Sequence, residues 1–274
     1  MTASSGEPRG RRIVVVFGGG SADASVAGVL ASLVSESPAD VTGVFIEDLA
    51  LFRLAELPFT TEVCRVTTMR RPLTTAELER QMRIQASRAE RTVRQVAEQV
   101  GSRWSFRKHR GRLSSALAEA MDVDLLLLGA ARRALATAGE LSATARTVRA
   151  SEAEARRPIA VIVERADVGS RAIDAALELA QRSGRGLILF LPPETSTATA
   201  EIARRLQALG PRRVSVRTVS SSDADAMLSA VRRAGPAALV VDAGEGGFEQ
   251  AKIDALRRDL SCPLLVVRSA ALSP

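Results

Sequence analysis

Two apolar runs in this chain end in glycine. Leu125–Leu128 leads into Gly129, with Arg132 and Arg133 close behind. Ile13–Phe17 leads into Gly18, Gly19 and Gly20, and Ser21 follows. A glycine where a strand gives way to a helix lets backbone N–H groups approach a phosphate with no Cβ in the way. An arginine fork can hold phosphate by itself. Phosphate binding is the chemistry that these residue types and spacings suit best.

Other chemistries have less to stand on. His109 is the sole histidine, and Cys64 and Cys262 are far apart without metal-ligand spacing. The cysteines read as buried or free thiols of a reducing compartment. No nucleophile is tied to His109 by sequence, so a catalytic triad is unsupported. The pairs Glu47–Asp48 and Asp223/Asp225 fit helix caps and solvated turns better than acid/base catalysis.

The elements that would position these residues alternate. Strands are expected at Ile13–Phe17, Val41–Glu47, Arg103–His109 and Val123–Leu128, then at Ile159–Val163, Leu187–Leu191, Val214–Val219, Ala237–Val241 and Leu264–Val267. Helices fill the gaps. The longest, Thr74–Val100, opens with a capping box at Thr74 and Glu77 and carries the stripe Leu78, Met82, Ala89, Val93, Val96 and Val100. Strand–helix alternation implies parallel sheets with right-handed crossovers. The plan runs twice, so two tandem domains are expected: 11–155, with an insert at 49–73, and 156–274, after a loose tail at 1–10. The insert is helical in spacing up to Pro58 and irregular beyond; it is a lid, a subunit contact or a flap over the domain's own core.

Composition agrees with layered α/β packing. Hydrophobic residues make up 46% of 274, but aromatics only 3%, so the cores are aliphatic. The net charge of +7 is carried by arginine, with lysine only at 108 and 252. The arginines are interspersed with Glu and Asp along helices, which reads as solvated helix faces rather than a nucleic-acid surface. Arg103–Arg112 interleaves Trp104 and Phe106 with basic residues; a strand with its aromatics inward accounts for it. No apolar run approaches the ~20 residues of a membrane span. The basic start before Ile13 reads as a first strand rather than an export signal, so the expected location is the cytoplasm.

With these elements laid out, the chain resembles the universal stress protein family in a tandem two-domain form. In the second half, ERADVGSRAIDAALELA is similar to the family's first loop and helix, with Ala172, Ile173, Ala176 and Ala180 in register. In the first half Gly19, Gly20 and Ser21 stand where the family's Asp-Gly-Ser turn would be. Ser261–Arg268, SCPLLVVR, resembles its closing strand. Gly129 resembles the start of its nucleotide motif: Gly, two residues, Gly, nine residues, Gly, then Ser or Thr. That spacing falls on Gly129, Arg132, Ser142 and Ala143, with Thr144 following.

The resemblance implies two Rossmann-like domains of the adenine nucleotide alpha hydrolase-like kind, each a parallel sheet flanked by helices, paired as a stacked pseudo-dimer. It implies a non-enzymatic stress-response or regulatory role, a possible homodimer and an unidentified protein partner, with no nucleic acid and no membrane. ATP is the cofactor it implies, in the first half only. Candidate contacts are Gly19, Gly20, Ser21, Gly129, Arg132, Arg133, Ser142, Ala143 and Thr144, with Arg110 and Gly111 in the loop beyond the Trp104 strand. One of three motif glycines remains, and Ala143 lacks a hydroxyl whose bond to a charged group is worth about 1.5–3 kcal/mol. Asp242 and Glu245 stand at the corresponding glycine positions of the second half, where carboxylates repel a triphosphate.

Two points stay open. Ile159–Val163 closes the first sheet or opens the second; the register of Ala172 assigns it to the second, which leaves the first half without a fifth strand. FGGGSADAS also resembles the pyrophosphate loop of ATP pyrophosphatases, so an adenylyl-transferring enzyme using Gly18–Ser25 is the alternative reading.

Overall fold

The computed structural model describes residues 11–18, 24–35, 39–63, 68–119, 123–130, 156–163, 171–192, 213–219, 224–243 and 260–268, with 204, 206, 253 and 255–257 as helical positions between them. Its first half holds β1 (Arg11–Gly18), α1 (Ala24–Val34), β2 (Ala39–Glu47), α2 (Leu49–Glu56), β3 (Thr61–Val63), β4 (Arg70–Pro72), α3 (Thr75–Gln99), β5 (Arg103–Arg110), α4 (Leu113–Glu119) and β6 (Leu125–Leu128). The second half holds β7 (Ile159–Ile162), α5 (Arg171–Arg182), β8 (Leu187–Leu191), β9 (Val214–Thr218), α6 (Ala224–Ala234), β10 (Ala238–Asp242) and β11 (Leu264–Val267).

Nine strands form one sheet in the order β5-β2-β1-β6-β11-β10-β7-β8-β9. Pairing is parallel within β5-β2-β1-β6 and within β11-β10-β7-β8-β9. It is antiparallel only where β6 meets β11, with Leu128 opposite Leu264 and Leu125 opposite Val267. Each half is thus a parallel block, as expected. The stacking expected between the halves is replaced by an edge-to-edge seam.

The reason is the missing fifth strand. β7 lies between β10 and β8, so Ile159–Ile162 belongs to the second block, which completes five strands. Among the described residues the first block has four, and β6 would be an apolar edge with unpaired backbone groups. β11 covers that edge. Asp124 fastens the end of the seam: its N–H donates to Arg12 O (3.1 Å), its carboxylate accepts the Arg12 N–H (2.8 Å), and its carbonyl accepts the Arg268 N–H (3.1 Å).

Side chains alternate to the two faces of the sheet. Ile13, Val15 and Phe17 join one core with α1, α3 and α5, and Val14 and Val16 join the other with α4 and α6. In α3, Thr74 Oγ1 accepts the Glu77 N–H as the capping box requires, and Leu78, Met82, Ala89, Val93 and Val96 are buried. Trp104 and Phe106 pack against the first core. Gly43, opposite Phe106, makes room: a Cβ there would lie 2.5 Å from the Phe106 ring.

The insert is more ordered than its spacing suggests. Asp48 caps α2 by accepting the Ala50 N–H at 2.8 Å, and α2 buries Phe52 and Ala55. Where irregular chain was expected, β3 and β4 form a two-stranded hairpin with Glu62 opposite Arg71. Cys64 and the helix expected beyond Thr137 lie outside the described residues. Cys262 is a buried thiol. Among the described residues no helix is long and apolar enough to cross a membrane.

Candidate functional site

In an open parallel sheet, ligands bind at the carboxyl ends of strands, where the strand order reverses. The first block reverses between β1 and β6, and its crevice is bounded by Gly18 and Gly129. The two glycine-terminated runs read from the sequence therefore end side by side. Gly19, Gly20, Ser21, Arg132, Arg133, Ser142, Ala143 and Thr144 lie outside the described residues.

Gly129 is committed to the chain itself. Its N–H donates to Val16 O at 3.1 Å, prolonging the β1–β6 ladder, so this amide is not turned toward a ligand. Its carbonyl accepts a long bond, 3.4 Å, from Arg257 Nε. The same guanidinium lies against Gly18, and a Cβ there would collide with it. Glycine at 18 thus makes room for an arginine from the other block.

The antiparallel seam delivers that arginine. Because Leu264 opposes Leu128, the start of β11 lies at the carboxyl end of β6. The helical positions 253 and 255–257 lead into β11 and are brought to the crevice of the first block. Sequence reading missed Arg257, which looks like one more arginine on an amphipathic segment. Its partner is 128 residues away, and no local pattern marks it.

Arg110 and Gly111 stand at the same side of the sheet, at the end of β5. Three strand steps separate β5 from β6, about 14 Å at the usual spacing. Arg110 is engaged locally: its guanidinium lies 4.3 Å above the Phe52 ring and 3.9 Å from both Glu47 and Glu79. Gly111 N–H donates to Glu47 O at 3.1 Å. This pair braces α2 and α3 to the strand ends.

His109 does have a hydroxyl neighbour, which the sequence did not suggest. Its Nε2 is 2.8 Å from Ser115 Oγ. Ser115 Oγ donates to Arg112 O, also at 2.8 Å, which leaves the hydroxyl oxygen to accept from an Nε2–H. An imidazole that donates to serine is the reverse of a general base. The pair closes the turn that starts α4.

The second block reverses between β7 and β10, at Val163 and Asp242. Asp242 ends β10, so a carboxylate stands where the first block has Gly129. Glu245 lies outside the described residues. Because the seam is antiparallel, the two crevices open at opposite ends of the sheet.

No family model matches the chain, and no curated protein matches it. Among solved structures, a universal stress protein from Archaeoglobus fulgidus DSM 4304 is similar, with a TM-score of 0.49 and 9% identity, covering 96% of this chain and 97% of that one. A putative universal stress protein from Pseudomonas aeruginosa UCBPP-PA14 is also similar, with a TM-score of 0.44 and 11% identity, covering 94% of this chain and 93% of that one.

Proposed function

We propose that this chain is a non-enzymatic, cytoplasmic regulatory protein of the universal-stress-protein kind, whose first-block nucleotide crevice is filled by its own Arg257. The motif resemblance at Gly129, Ala172 and Ser261–Arg268 supports the family reading. The observation that carries the closure is the Arg257 guanidinium lodged between Gly18 and Gly129 at the strand switch. The Arg257 side chain fills the space against Gly18 and is tied to the Gly129 carbonyl, while the Gly129 N–H is spent on Val16 O. The second-block crevice carries Asp242 where the first has Gly129.

Thermal melting with ATP, ADP and AMP, with and without magnesium, tests this. A ligand that binds the native state raises the melting temperature by mass action. The expected result is no rise at millimolar nucleotide in the intact chain. A rise of several degrees that Gly129→Asp abolishes would show an open site and sink the closure. Formation of AMP and pyrophosphate from ATP would sink the non-enzymatic reading in favour of the Gly18–Ser25 loop.

A further inference from the structure

A second groove lies at the outer edge of the second block. It runs between β9, the edge strand of the sheet, and α6, and has a volume of about 440 Å³. That is within the ~300–1,000 Å³ of small-molecule sites. Phe190 and Val219 form its floor, both part of the core beneath. Its α6 wall is a single stripe, Ala226, Ser229, Ala230 and Arg233, spaced i, i+3, i+4, i+7. The small alanines leave the space, while Ser229 and Arg233 put a hydroxyl and a cation along it. From the strand side comes Arg217, which pairs in register with Phe190.

The charge balance of the lining is one-sided. Among the described residues it contains two arginines, the Ser229 hydroxyl and no carboxylate. Elsewhere the described arginines often answer to acids or carbonyls: Arg11 to Glu178, Arg71 to Glu62, Arg110 to Glu47, and Arg157 to the carbonyls of Gly235 and Pro236. Arg217 and Arg233 have no ion-pair or side-chain hydrogen-bond partner among the described residues. Two guanidinium forks suit an anion of about two negative charges, which a phosphate monoester carries near pH 7. The apolar floor suits a ligand with an apolar body attached to that anion.

We propose that this groove binds a small organic phosphate, with Arg217 and Arg233 holding the phosphate, Ser229 adding a hydroxyl bond, and the body resting over Phe190 and Val219. Phenyl phosphate is the probe, with inorganic phosphate and phenol as its two halves. In calorimetric titration of the full chain at low salt, phenyl phosphate is expected to bind at one site. Inorganic phosphate should bind more weakly, and phenol not at all. Arg217→Ala and Arg233→Ala should each weaken phenyl phosphate about tenfold or more. The double variant should abolish binding. Both side chains are exposed, so these variants should melt with the parent; Arg217→Gln and Arg233→Gln repeat the test with less change in volume. In amide NMR spectra, the largest shifts on titration should fall on Thr218, Val219 and Ser229. No binding at millimolar phenyl phosphate would overturn the proposal. Binding unchanged in the double variant, or removed instead by Gly129→Asp, would overturn it as well.

Discussion

The two blocks share a plan but differ by one strand, and that strand sets what each crevice becomes. The second block is complete at five strands and keeps its switch point beside its own β7 and β10. The first block stops at four and borrows β11 from its neighbour. Borrowing an antiparallel strand also imports the segment before it, and with it Arg257. The loss of one strand thus both joins the halves and fills the first crevice. A side chain from the second block now stands against Gly18 and Gly129 at the first switch point.

The sharpest way to break this comparison is at the seam. Leu127 and Leu265 oppose each other there and are fully buried. Replacing either by alanine is expected to cost about 2–5 kcal/mol, the range for buried leucine truncations. The double variant should show a coupling of about 0.5 kcal/mol or more, because the two share neighbours. Scanning calorimetry should show one transition in the parent chain. Two separate transitions, with Leu127→Ala moving only one, would mean that the blocks are independent.

A smaller effect contrasts the strands one in from each edge. In the second block Leu189 on β8 pairs with Val216, two medium side chains. In the first block Gly43 pairs with Phe106, so an aromatic ring from the edge strand fills the gap of a missing side chain. Gly43→Ala would place a Cβ 2.5 Å from that ring and 3.0 Å from a Val93 methyl. Overpacking of this kind costs about 1–3 kcal/mol. Urea denaturation reads it. An unchanged midpoint would show that Phe106 moves aside without loss.

Next in size is the polar clasp between the blocks on the α1/α5 face. Arg182 Nη1 donates to the carbonyls of Ser32 (2.9 Å) and Leu33 (3.3 Å) at the end of α1. Its Nη2 pairs with Glu178 at 2.7 Å, and Glu178 also accepts from Arg11 at 3.1 Å. A cation at a helix C-terminus satisfies orphan carbonyls and meets the negative end of the dipole. Arg182→Ala is expected to cost about 1–2 kcal/mol, and Arg182→Lys to recover only part. An effect that vanishes in high salt would assign the clasp to charge alone rather than to carbonyl bonds.

Much of this architecture was legible locally. The capping box at Thr74 and Glu77, the stripe from Leu78 to Val96 and the register of Ala172 to Ala180 are short-range patterns, and the chain obeys them. Strand existence was legible because short β-branched and Leu-rich runs have one use in such a chain. Strand partnership was not. LLLL at 125–128 and LLVV at 264–267 are apolar on both faces, so nothing in them distinguishes a parallel neighbour from an antiparallel one. From that single ambiguity follow the edge-to-edge seam and the position of Arg257. The hairpin of β3 and β4 was missed because three-residue strands are too short for a period to register.

The smallest effect concerns the start of α3 and is visible only as pH changes. Glu77 sits in the first turn, and its carboxylate accepts from Arg80 Nε (2.9 Å), Arg80 Nη2 (2.8 Å) and Gln81 Nε2 (3.1 Å). The Arg80 bonds, followed by the Gln81 bond, lower its pKa from 4.5 to about 2. The folded chain thus binds this proton less readily than the unfolded chain does. A lowered carboxylate pKa gives stability that is complete above the unfolded value of about 4.5 and fades as pH falls toward the folded one. Glu77→Gln should therefore lag the parent slightly in urea midpoint at pH 7 and pH 5, with the gap narrowing from about pH 4 and closing near pH 2. Glu77 is half-buried beside an exposed Arg80, so the gap should also shrink with added salt. A gap that persists unchanged at pH 2 would show that Glu77 acts through packing of its stem, and that its charge contributes nothing to holding α3 on the first block.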